Sequence, residues 1–147
     1  MDLHVDDAGF VRAPAPLVYR RLTDIRRWPE WWPGCRVVDR GAPGVDRYLV
    51  ELSPGPGRRL RFACEPGEWR HEHGFALALT GDVEGRAEFW LEHIPAGTVV
   101  YHLLVARTDR ARPLAVLRDH RRAIRRGLWG LKDALQLEAR SSAGLQP

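Results

Sequence analysis

Cysteine is scarce in this chain: Cys35 and Cys64 are the only two among 147 residues. They form no C-x-x-C pair and are too few for a secreted disulfide framework, so both read as small, half-buried residues. Lysine is scarcer still, since Lys132 is the single lysine among 23 basic residues. The arginine bias, with abundant Ala, Gly and Pro, reads as GC-rich coding. No nucleic-acid motif accompanies the net charge of +4, and no nucleic-acid partner is expected. No apolar run approaches the ~18 residues of a membrane span. Met1 to Phe10 lacks the apolar stretch of a signal peptide, which predicts a cytoplasmic protein. Gly-rich phosphate loops, G-x-S-x-G elbows and H-E-x-x-H pairs are all missing, so neither a metal nor a cofactor is expected.

What is present describes one globular domain over residues 1–140, with a frayed, disordered tail over 141–147. The chain is 44% hydrophobic and 29% charged. A domain of this length buries roughly two-thirds of the surface its unfolded chain exposes, enough to fold without cross-links and to enclose a cavity. A first strand is read over Leu3–Val11, closed by Ala13-Pro14-Ala15-Pro16, whose prolines suit a helix opening. Leu17, Val18, Arg21, Leu22 and Ile25 recur at helical spacing, and a second short helix holds Trp28, Trp31 and Trp32. Alternating segments bounded by Gly and Pro follow at Cys35–Arg40, Arg47–Ser53, Arg58–Cys64, Trp69–Leu79, Gly85–His93 and Thr98–Arg107. A long helix from Arg112-Pro113 to about Ala139 carries an apolar stripe of Leu114, Leu117, Ile124, Leu128, Leu131 and Leu135. His120 and Arg121 fall in that stripe, either at the rim of the sheet or in a cavity beneath the helix. The rim is the expectation, because an unpaired buried arginine is costly.

The order strand, two short helices, six strands, long helix resembles the START-like, helix-grip superfamily, whose bacterial members are called polyketide cyclase/dehydrase or SRPBCC proteins. Ala13-Pro14 through Val18-Tyr19, Leu22-Thr23-Asp24 and Trp28-Pro29-Glu30-Trp31-Trp32-Pro33 are similar to that family's opening. Gly81-Asp82-Val83-Glu84-Gly85, Gly97-Thr98-Val99-Val100-Tyr101 and Gly127-Leu128 with Leu131-Lys132 resemble its later pattern. The resemblance implies an α+β fold in which a curved seven-stranded antiparallel sheet grips the long helix (β-α-α-β6-α). It also implies an apolar cavity for a small hydrophobic or aromatic molecule. Phe75 to Thr80 departs from the Trp- and Arg-bearing strands of tetracenomycin-type aromatase/cyclases, so no catalytic residue is carried over.

With Gly97-Thr98 aligned to the family's pattern, as the resemblance implies, period-two alternation turns Val100, His102, Leu104 and Ala106 inward, and likewise Ala87, Phe89 and Leu91. His102 is then the leading polar pocket residue and the candidate catalytic acid or base. Trp28, Trp31, Trp32, Tyr48, Phe89, Val100, Leu104, Leu117, His120, Arg121 and Ile124 complete the expected ligand-binding set. Either Tyr48 or Glu51 faces the cavity, not both, and Arg61 shares that ambiguity. His71-Glu72-His73 puts two histidines on one strand face but lacks a third metal ligand. Trp90, Tyr101, Leu103 and Val105 fall on the outer face as a contiguous apolar patch suited to a homodimer, with Trp129 a separate contact. Arg118, Arg122, Arg125 and Arg126 form a basic helix face, solvated or steering an anionic substrate. The leading function is binding of a small hydrophobic molecule such as a polyketide, lipid or quinone. The alternatives are a polyketide cyclase or dehydratase using His102, and a protein-interaction or regulatory module.

Overall fold

The computed structural model describes residues 2–39, 44 and 46–144. Seven antiparallel strands form one curled sheet: β1 (Asp2–Val11), β2 (Cys35–Asp39), β3 (Tyr48–Gly55), β4 (Arg58–Arg70), β5 (Gly74–Gly81), β6 (Glu84–Ile94) and β7 (Gly97–Arg107). Their order is β1-β7-β6-β5-β4-β3-β2, so the first strand returns to pair with the last. Two short helices, α1 (Ala15–Thr23) and α2 (Trp28–Trp31), interrupt the passage from β1 to β2, and α3 (Pro113–Gly144) closes the fold. This is the START-like, helix-grip arrangement that the sequence resemblance implied.

Local chemistry explains the helix starts. Pro14 caps α1 with extended backbone and further prolines sit in the first turns of α1 and α2, where a missing N–H breaks no helical bond. The Thr98 hydroxyl then donates to the Ala13 carbonyl at 2.8 Å, tying the β1–α1 corner to β7. On β7, Val100, His102, Leu104 and Ala106 are buried, as alternation predicts, and Ala87, Phe89 and Leu91 follow suit on β6. The two strands pair in register, with Phe89 opposite His102.

Three boundaries differ from the sequence reading. Pro66-Gly67 is not a turn: β4 runs through it to Arg70, with a bulge between Gly67 and Arg70 where Glu68 takes a positive φ. The β3–β4 ladder ends at Tyr48 opposite Cys64, so Pro66 lies beyond that neighbour, where a missing donor is tolerated. The hairpin instead reverses at residues 71–73, with Glu72 at φ 62° and His73 N–H donating to the Arg70 carbonyl. His71 and His73 therefore sit in a turn and not on a strand face. Third, α3 continues through Ser141 to Gly144. Arg40 and Gly41–Pro43 lie outside the described residues, as does the chain beyond Gly144.

The buried face of α3 also differs from its leucine pattern. Val116, His120, Ala123, Ile124, Leu131 and Leu135 face the sheet, whereas Leu117 and Leu128 are half-buried and Leu114 is 66% exposed. Residues 116, 120, 123, 127 and 131 form the true 3.6-residue stripe, and His120 is its second member.

Candidate functional site

His102, from the middle of β7, and His120, from the second turn of α3, meet between sheet and helix. Their Nε2 atoms are 3.4 Å apart and both rings are 2% exposed. The expectation that His120 sits at the rim is corrected: it projects inward, because it finds an imidazole partner there. Arg121, one residue on, is exposed on the outer side of α3 and does not join the site.

Burial lowers the proton affinity of both rings, His102 well below the usual imidazole range and His120 to about 4. For His102 the neighbouring His120 acts in the same direction. Both rings are neutral at pH 7, and the Nδ1 atom of each is buried without a hydrogen-bond partner among the described residues. Such a pair can hold one proton between the two Nε2 atoms. One Nδ1 is then left as an acceptor and the other as a donor.

Aromatic side chains wall the pair. The Phe89 ring lies 4.7 Å from that of His102, and Phe75 stacks on Phe89 at 5.5 Å. Trp28 meets Phe89 at 6.4 Å and Trp32 at 5.3 Å, and Trp31 stacks on Trp32 at 5.6 Å. Trp28 donates to the Leu22 carbonyl and Trp32 to the Ala123 carbonyl of α3, while the buried Trp31 Nε1 has no partner. Gly127 and Gly130 let α2 approach: a Cβ at Gly127 would lie 2.5 Å from the Trp32 ring, and one at Gly130 would strike the Trp31 carbonyl. The short spacing Gly127-x-x-Gly130 was the sequence signal for this contact, though only a structure shows what it faces.

Of the expected binding residues, Trp28, Trp31, Trp32, Phe89, Val100, His102, Leu104, His120 and Ile124 join one buried cluster, with Leu117 packed at its margin. Tyr48 also faces inward, its hydroxyl bonded to Asp46, whereas Glu51 points outward to Arg61 at 2.7 Å. The recesses described, of about 210 to 550 Å³, lie at the surface, and neither His102 nor His120 lines one. The tryptophan cluster packs between α2 and α3, with Trp28 against Phe89 of β6.

The outer apolar patch is partly satisfied within the chain. Trp90 donates to Glu88 and the Tyr101 hydroxyl to Glu92, Leu103 is half-buried, and Val105 is 64% exposed. Both cysteines are fully buried, which pushes each thiol up to about 12. No cluster of three potential metal ligands occurs among the described residues. No described helix is long and apolar enough to cross a membrane.

Residues 11–72 match the family model described as polyketide cyclase / dehydrase and lipid transport. No curated protein matches the sequence. Among solved structures, the chain is similar to the di-domain ARO/CYC StfQ from the steffimycin biosynthetic pathway, with 13% identity and a TM-score of 0.72. That match covers 95% of this chain and 52% of StfQ, so the chain spans about half the length of that protein. It is also similar to a START superfamily protein from Mycobacterium smegmatis (15% identity, TM-score 0.73, covering 91% and 97% of the two chains). Protein CV1439 from Chromobacterium violaceum is a further match (18% identity, TM-score 0.71, 90% and 96% covered). At these identities the structural likeness establishes the fold, which is START-like, and the family match covers 62 of the 147 residues.

Proposed function

We propose that this START-like, polyketide-cyclase-type chain binds a small hydrophobic or aromatic molecule, of polyketide, lipid or quinone character, between the sheet and α3 at the His102–His120 pair. The observation that carries this reading is the unmatched Nδ1 atom on each of two fully buried, adjacent imidazoles. A buried polar atom left without a partner costs about 1–3 kcal/mol, and a ligand offering both a hydroxyl and a carbonyl removes that cost on both rings. Phe89 and the tryptophans supply the apolar contact that such a ligand needs. Because Trp31 and Trp32 occupy the adjoining space, entry requires α2 to lift from Gly127 and Gly130, a movement confined to one four-residue helix and its flanks.

A second reading uses the same pair for proton transfer. Passing a proton through the Nε2–Nε2 contact exchanges the roles of the two Nδ1 atoms, which is what a dehydration or cyclisation of a poly-β-ketone asks of an acid–base pair. The two readings separate by experiment. Native mass spectrometry of the purified protein, followed by titration with hydroxyquinones and aromatic polyketides, tests binding. A co-purifying mass of a few hundred daltons, or saturable binding that His120→Phe weakens about tenfold, is expected. A bare chain mass with no binding by any of these compounds refutes the reading. Turnover of a poly-β-ketone that disappears in His102→Gln while binding persists selects the enzyme.

A further inference from the structure

We propose that the outer face of α3 is a docking surface for an anionic lipid bilayer. The observation is separate from the histidine site. Opposite its core stripe, α3 presents Arg118, Arg121, Arg122, Arg125 and Arg126 along one shallow recess of about 450 Å³. Leu114 and Trp129 mark the two ends of the same face, 66% and 63% exposed. Fifteen residues separate them, which is about 22 Å along a helix.

The charge on this face is of one sign and largely uncompensated. Asp119 is held by Arg58 at 2.7 Å, and Asp7 reaches only Arg125, at 3.5 Å. Arg118, Arg121 and Arg122 make no ion pair among the described residues. Arginines spaced three and four apart repel one another along a helix, so the arrangement weakens α3 unless something anionic lies against it. Protein partners are usually met by mixed charges that set register. A lipid surface supplies a single sign over a plane, and it accepts exposed leucine and indole side chains that a nucleic acid leaves in water.

The apolar groups suit that depth. Trp129 has the Lys132 ammonium 4.7 Å above its ring, which pairs an indole with a cation at the level where headgroups begin. Arg126 donates to the carbonyls of Ser53 and Pro54, so the docked face adjoins the β3–β4 hairpin. Docking would therefore hold the β3–β4 hairpin near the membrane surface.

The test is co-sedimentation of the intact protein with vesicles of phosphatidylcholine alone and of equimolar phosphatidylcholine and phosphatidylserine. Binding is expected only to the anionic vesicles, and it should fall steeply with added salt. Reversing three of the cations that make no ion pair (Arg118→Glu, Arg121→Glu, Arg122→Glu) should weaken it by about a hundredfold or more, at about fivefold per charge removed. Circular dichroism checks that the variant folds, and Leu114→Ala with Trp129→Ala provides a second variant that leaves every charge in place and should also weaken binding. Equal binding to both vesicles, binding unchanged in either variant, or displacement of the protein from anionic vesicles by duplex DNA or polyglutamate at equal charge overturns the proposal.

Discussion

The Nε2 atoms of His102 and His120, eighteen residues apart in sequence, meet at 3.4 Å between the last strand and the long helix, the one contact between imidazoles inside the described core. It exists because a histidine in the middle of a helix stripe is affordable when a second histidine offers a partner, and unaffordable otherwise. Its first consequence is electrostatic.

Acid should unfold this protein earlier than its carboxylates alone would dictate. Burial depresses both imidazoles, so the native core refuses protons that the unfolded chain accepts near pH 6.5. The stability is therefore fully present above pH 6.5, is lost as pH falls from there, and for His120 levels off near pH 4. For His120 alone the loss between pH 7.5 and pH 5 is about 2 kcal/mol. Urea midpoints across that range check it. His120→Phe should flatten the profile, and an unchanged slope in that variant would remove the pair from the acid response.

Gly127→Ala and Gly130→Ala should both destabilise, against the usual helix preference for alanine of about 1 kcal/mol. At Gly127 the new methyl would sit 2.5 Å from the Trp32 ring, and at Gly130 it would meet the Trp31 carbonyl, which cannot rotate away. Overpacking of this kind costs about 1–3 kcal/mol, with Gly130 the more severe. Thermal melts read the order directly, and a raised melting temperature for either variant would mean that α2 does not rest on α3 there.

The two thiols should be silent in the native protein. Cys35 and Cys64 are buried, and burial pushes both up to about 12, leaving almost no thiolate at pH 8. A disulfide exchange reagent should label neither until denaturant is added, and then both. Rapid labelling of one under native conditions would show that the β2–β4 side of the sheet opens locally.

Much of the fold was legible because its signals are local. The family resemblance at Gly97-Thr98 sets the phase of β7, and from that phase the inward set Val100, His102, Leu104 and Ala106 follows by counting, as does its neighbour on β6. What was not legible depends on partners far apart in the chain. His120 looked too polar for the core, since nothing near it in sequence announces His102. The turn at 71–73 escaped because Glu72 carries the left-handed conformation that a glycine would advertise, while Pro66-Gly67, which advertises a turn, lies in a bulge. The leucines of α3 misled in the same way: Leu114 is exposed while Val116, His120 and Ala123 carry the contact. The tryptophan cluster's contact with α3 was equally illegible, since Trp31 and Trp32 meet Gly130 and Gly127 about a hundred residues on.

The tryptophan cluster offers a paired experiment in which the loss of volume is the same in both variants. Trp31→Phe and Trp32→Phe remove the same atoms from rings that are 7% and 4% exposed and stacked on each other. They differ in one respect: the Trp32 Nε1 donates to the Ala123 carbonyl at 3.0 Å, while the buried Trp31 Nε1 donates to nothing among the described residues. Losing the made bond costs about 1 kcal/mol beyond the change in packing, whereas losing the unmade one relieves an unsatisfied donor. Trp32→Phe should thus be the more destabilising of the two by at least about 1 kcal/mol. Urea unfolding of both variants side by side measures the difference. If instead the two cost the same, the Trp31 indole has a partner of its own, and a ligand or solvent group within the α2–α3 contact becomes the first thing to look for.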